Sequence, residues 1–141
     1  MIFPREVFVQ QLRVGSILYF KNPDFVSDDP HFHVCMAEAH GSLYLTCCTK
    51  QYEKRSRFIE SRGLPFSTLV RLFPSDINEF TLETFVDRNR IFRYTHDDLY
   101  AIYRVGGLRI RGVVSDAQHE EIRTGVLDSP LIEEEVKAVM R

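Results

Sequence analysis

The chain contains no tryptophan, only three cysteines, and no apolar run that approaches a membrane span. A bilayer-crossing helix needs roughly 20 consecutive apolar residues, so no membrane association is expected. The opening "MIFPREVFVQQ" also lacks the basic-then-apolar order of a secretory signal. A cytoplasmic location is the expectation. An odd cysteine count without framework spacing argues against a disulfide scaffold. Cys47 and Cys48 are adjacent, and neighbours on a strand point to opposite faces, so they do not read as a bridge. Buried thiols are the simpler interpretation. Repeats and low-complexity tracts are absent as well. What remains is an ordinary globular composition: 141 residues, 44% hydrophobic and 27% charged, which is one domain's worth.

A large surplus of one charge is missing too. The net charge of -2 excludes a uniformly basic nucleic-acid binder. The distribution is less even than the total. Residues 48–111 carry a surplus of four positive charges, and residues 112–141 a surplus of four negative ones. A basic middle permits a polyanionic partner on one side of the molecule without requiring one.

The apolar pattern places strands first and helices after. "LRVGSILYFKNP" reads as a strand stopped by Asn22-Pro23. "HFHVCMAEA" reads as a second strand, in which His31, His33 and Cys35 alternate with Phe32, Val34 and Met36. Gly41-Ser42 supports a turn, and "LYLTCCT" returns as a third strand. Residues 50–66 form a polar, basic insertion, expected as a long loop. "STLVRLF" reads as a fourth strand. "TLETFVDRNRIFRYT" reads as two short strands with a turn at Asp87-Arg88-Asn89. Three helices are expected beyond it. Thr95 caps the first, with Asp98 in capping-box position and Gly106-Gly107 as its end. Ser115 and Gln118 open the second, which Gly125 stops. Pro130 takes the first slot of the third, "LIEEEVKAVM". The expected fold is mainly β within an α+β class: a small barrel over residues 13–95 with a helical part over 96–141, in one domain spanning 1–141.

Several side chains in this frame could carry chemistry. His31 and His33 share one strand face. Two imidazoles there could bind metal with a nearby thiolate, but the paired Cys-x-x-Cys spacing of zinc sites is absent, and no metal or cofactor is expected. A two-histidine phosphoesterase needs a second His-x-Ser/Thr strand, and none follows. The histidines could equally sit at the rim as hydrogen-bonded, inert groups. Thr49 ends the third strand, where a hydroxyl either finishes the strand or donates to a phosphate oxygen. Lys50, Lys54, Arg55 and Arg57 stand beside Tyr52 and Phe58, a mixture that can hold phosphates and stack bases, or simply keep a loop soluble. Arg88, Arg90 and Arg93, like Arg109 and Arg111, read as the wet face of a sheet.

The order of these pieces resembles the PemK/MazF family of toxin ribonucleases from toxin–antitoxin systems. "VGSILYF" is similar to the family's first strand, with Ser16 where the family has an acid. "DPHFHVCMAEA" stands where the family's basic loop runs into a strand. "LYLTCCTKQ" resembles the strand that ends in Pro-Ile-Thr-Ser-Gln, with Thr49 and Gln51 on the Thr and Gln. "ETFVDRNRIFRYTHDDL" resembles the late strand leading into a helix. The likeness covers roughly residues 13–105 and implies an SH3-like barrel. It also implies metal-independent cleavage of single-stranded RNA by attack of the ribose 2′-OH on the adjacent phosphate. The family's arginine before the second strand is replaced here by Pro30 or His31. On this reading His31, His33 and Thr49 are the catalytic residues, and Lys50, Gln51, Arg55 and Arg57 hold the substrate. The implied partners are single-stranded RNA, an antitoxin protein and a second copy of the chain. The alternative is a barrel of the same shape that binds a protein or nucleic acid without cutting it.

Overall fold

The computed structural model describes residues 2–26, 28–49, 57–58, 60–63, 69–72 and 84–141. The fold is α+β, mostly β, with helices concentrated at the C-terminal end. Its elements run α1 (Arg5–Gln11), β1 (Ser16–Phe20), β2 (His31–Ala39), β3 (Ser42–Thr49), β4 (Leu69–Leu72), β5 (Thr84–Thr95), α2 (His96–Arg104), β6 (Leu108–Val113), α3 (Asp116–Asp128) and α4 (Glu134–Met140). The strands form one antiparallel sheet in the order β4-β5-β3-β2-β1-β6. The expected barrel is therefore not closed: among the described residues β4 and β6 are edges, each with one neighbour. No helix among the described residues is long and apolar enough to cross a membrane.

Period-two alternation splits the core into two layers. Val34 and Met36 of β2 join Ile17, Val86, Ile122, Val126, Ile132 and Met140 on the face covered by α3 and α4. Cys35 joins Leu18, Phe20, Leu43, Leu45, Phe8 and Leu99 on the face covered by α1 and α2. The three cysteines are free and buried. Burial pushes the Cys35 thiol up to about 12 and that of Cys48 well above its ordinary value.

The β2–β3 hairpin turns at His40-Gly41, one residue earlier than expected. Both have positive φ, 54° and 74°, as a two-residue hairpin turn of the right twist demands. Both expected capping boxes are present, Thr95 with Asp98 and Ser115 with Gln118. Three other expectations change. Gly125 does not stop α3, which continues to Asp128; the residue instead admits the Arg88 guanidinium, which packs against the helix closer than a Cβ would allow. Pro130 does not open α4. The helix starts at Glu134, after a turn in which the Ser129 hydroxyl accepts from the Leu131 amide at 3.2 Å. Asp87-Arg88-Asn89 is not a turn, because β5 continues through it as a bulge. Leu45 pairs with Phe92 and Cys47 with Asp87, so Thr46 alone faces the four residues Arg88–Ile91. The helix α1 and the strand β6 were not expected. Most of the 50–66 insertion lies outside the described residues.

Candidate functional site

The site is built where β2 begins, β3 ends and the β5 bulge projects. His33 pairs with Cys47 at the end of the β2–β3 ladder, and His31 and Thr49 each lie two residues beyond that pair. Backbone geometry thus brings these two positions to one end of the sheet.

His33 is locked into the fold. It is fully buried and stacks on Phe20 with ring centroids 4.2 Å apart. Its Nδ1 lies 3.0 Å from the His31 carbonyl, and Nε2 lies 3.2 Å from Asn22 Nδ2. A carbonyl only accepts, so Nδ1 carries the proton and Nε2 accepts from the amide. Asn22 Oδ1 in turn accepts from the Tyr94 hydroxyl at 2.7 Å and from the Asp24 amide at 2.8 Å. Every polar atom in this buried chain is thereby satisfied. Burial, the largest influence, brings the His33 pKa down to about 4. At neutral pH the ring is uncharged, both nitrogens are occupied, and solvent does not reach it.

His31 differs. Its side chain is half-buried, and its Nδ1, an atom closed off from solvent, has no hydrogen-bond partner among the described residues. Its ring meets Phe25 edge-on at 5.0 Å. Phe25 is one side of an aromatic pair with Phe92, 5.4 Å away and nearly perpendicular. The Arg90 guanidinium covers both rings, 4.8 Å from the Phe25 centroid and 5.3 Å from that of Phe92. Its one hydrogen bond among the described residues is the weak contact to Cys47 Sγ at 3.9 Å. An exposed planar cation packed over two rings, with most of its N–H groups uncommitted, can receive an anion.

Phe25, Arg90 and Phe92 border a cleft of about 460 Å³, and His31 adjoins it through Phe25 without lining it. The bulge residues Asn89–Ile91 and Phe92 form one side, Asp24 and Phe25 another, and Leu131–Glu133 with Val136 the third. The bulge is tied to the helical layer from below. Asn89 Oδ1 accepts from the buried Ser129 hydroxyl at 2.6 Å, and Asp87 Oδ1 accepts from the Asn89 amide at 3.0 Å. Arg88 is buried rather than on a wet face, and donates to the Glu121 carbonyl. Burial lowers its pKa to about 10, which leaves it charged at neutral pH.

Of the residues singled out from sequence, His31 and the Thr49 backbone share the site end, and His33 lies directly beneath. Arg57 is exposed, with no contact to the site among the described residues. Lys50, Gln51 and Arg55 lie outside the described residues. Sequence reasoning passed over Asn22, Phe25 and Phe92; it placed Arg90 on a solvated face, where the side chain is exposed, but did not see the rings beneath it. The dipeptide Asn22-Pro23 looked like punctuation, and the value of Arg90 depends on an aromatic partner far away in the chain.

No protein-family model and no curated protein matches the chain. The resemblance to PemK/MazF toxins accordingly rests on the quoted motifs alone.

Proposed function

We propose that this protein is a toxin-like endoribonuclease that holds single-stranded RNA across the His31–Arg90 end of the sheet and cleaves it without metal. The observation that carries this reading is the exposed Arg90 guanidinium lying over the Phe25–Phe92 pair, with the His31 ring edge-on to the same Phe25. Cleavage joins the ribose 2′-oxygen to phosphorus and breaks the bond to the 5′-oxygen. The products are a 2′,3′-cyclic phosphate and a 5′-hydroxyl end. His31 moves a proton at one of the two oxygens, and Arg90 balances the charge that builds on the phosphoryl oxygens. In this role Arg90 stands in for the family arginine missing before β2. Thr49 donates to the scissile phosphate. Lys50, Gln51, Arg55 and Arg57 hold the flanking strand. The reading includes a cytoplasmic location, an antitoxin partner and a homodimer.

The test is cleavage of single-stranded RNA by the purified chain in a chelator. Replacement of His31 by alanine should slow cutting by about 10²–10⁴-fold, the usual worth of a general acid or base. Thr49→Ala and Arg90→Ala should slow it as well. Undiminished cutting by His31→Ala and Thr49→Ala would remove the assignment.

A second reading is favoured by the state of His33. With that imidazole locked and neutral, one of the two expected proton-transfer groups is absent, and the same cleft would serve a module that binds without cutting. It predicts retained RNA or protein binding and no cyclic phosphate product.

A further inference from the structure

We propose that the cleft beside Arg90 is a base-recognition pocket that takes a single unstacked guanine, read by the Glu133 carboxylate. This deepens the RNA reading above and rests on it.

The cleft's size suits one nucleotide unit rather than a duplex, since pockets for small ligands run from about 300 to 1,000 Å³. Its lining divides into two halves. Arg90 and Phe25 form the half nearest His31, where a phosphate would sit against the guanidinium; Asp24 stands at the same end and its carboxylate opposes the phosphate rather than holding it. Leu131, Ile132 and Val136 form an apolar half, suited to the face of a base, and Glu133 stands among them. Among the described residues the Glu133 carboxylate has no hydrogen bond or ion pair. It occupies the N-cap position of α4, yet its side chain makes no capping bond. Its two oxygens are therefore free to accept.

A carboxylate accepts and does not donate. On the Watson–Crick edge, guanine offers two adjacent donors, the ring N–H and the exocyclic amine, which the two oxygens can accept together. Adenine and cytosine set a ring-nitrogen lone pair beside a single amine, and that lone pair repels a carboxylate. Uracil has one N–H flanked by two carbonyls. Single-stranded RNA is commonly read on such edges, with the base face packed against protein. An apolar wall carrying one uncommitted carboxylate therefore selects guanine, while Arg90 holds the attached phosphate.

Both carboxylates of the cleft are exposed, so exchanging either for its amide leaves the core untouched. Calorimetric titration of the full chain in chelator with the four 5′-mononucleotides provides the measurement. GMP should bind about tenfold or more tighter than AMP, CMP or UMP, the discrimination a good bidentate contact supplies. Glu133→Gln should abolish that preference, and Asp24→Asn should retain it. Equal affinities for the four nucleotides, or a guanine preference that survives Glu133→Gln, would overturn the proposal. Titration with a short RNA of mixed sequence separates the two levels. Tight binding of that RNA without any nucleotide preference sinks the pocket and leaves the RNA reading standing, whereas no RNA binding sinks both.

Discussion

Gly125 shows how a single missing methyl group organises this protein. In a helix interior, alanine is ordinarily better than glycine by about 0.8–1 kcal/mol. Here a Cβ at position 125 would lie 2.0 Å from Arg88 Cζ and Nε, inside any allowed contact. The guanidinium is buried, donates to the Glu121 carbonyl and leaves Nε without a partner, so it has no easy place to go. Gly125→Ala should therefore destabilise, by about 1–3 kcal/mol as an overpacked core does. In an Arg88→Leu background the same exchange should lose most of its penalty. Urea titration of the four proteins in that cycle measures the coupling. His33 makes an equally local prediction with a definite sign. Its folded pKa, about 4, lies below the ordinary 6.5. Above pH 6.5 neither folded nor unfolded ring holds the extra proton, and stability is unaffected. As pH falls from 6.5 towards 4, only the unfolded chain takes it up, so stability declines across that window and the contribution levels off below it. At ~1.4 kcal/mol per unit the loss approaches about 3 kcal/mol. Denaturation midpoints between pH 7 and 4 should fall less steeply in His33→Gln than in the parent.

At the scale of elements, the bulge of β5 carries the site, and the turn after α3 holds the bulge. Ser129→Ala would remove the buried hydroxyl that donates to Asn89 Oδ1, a loss of about 1–3 kcal/mol. Urea denaturation should show that loss, and RNA affinity should fall with it, since Arg90 is the next residue. The helix α1 buries one side chain completely. Phe8 is wholly buried and stacks on Tyr103 at 4.3 Å. Phe8→Ala should cost about 3–5 kcal/mol, read as a lowered thermal midpoint. This scale also explains what sequence could reveal. The hairpin and both capping boxes are local devices, spelled by residues within a few positions of one another, and they were legible. The β5 bulge was not, because the groups that bury Asp87–Asn89 come from α3 and Ser129 much later in the chain. Seven residues of α1 are too few to form by propensity alone, and the strand β6 is a brief alternation next to two glycines. His31 drew attention as one of a pair on a strand face. Its true neighbours, Phe25 and Arg90, are assembled by tertiary structure, and no spacing rule connects them.

For the whole molecule, the sheet is covered on both faces by separate layers of helices and apolar side chains. Chemistry is thereby restricted to strand ends and edges, which is where the cleft lies. The two ends of the β2–β3 hairpin have contrasting fates: one starts at His31 beside the cleft, and the other reverses at His40-Gly41 in the open, with nothing within 4 Å of a Cβ placed on Gly41. The native thiols are buried, and those of Cys35 and Cys48 resist ionisation. A lone cysteine introduced by His40→Cys would thus be the one sulfur a maleimide dye finds quickly, giving a fluorescent reporter at the tip of the hairpin arm opposite His31.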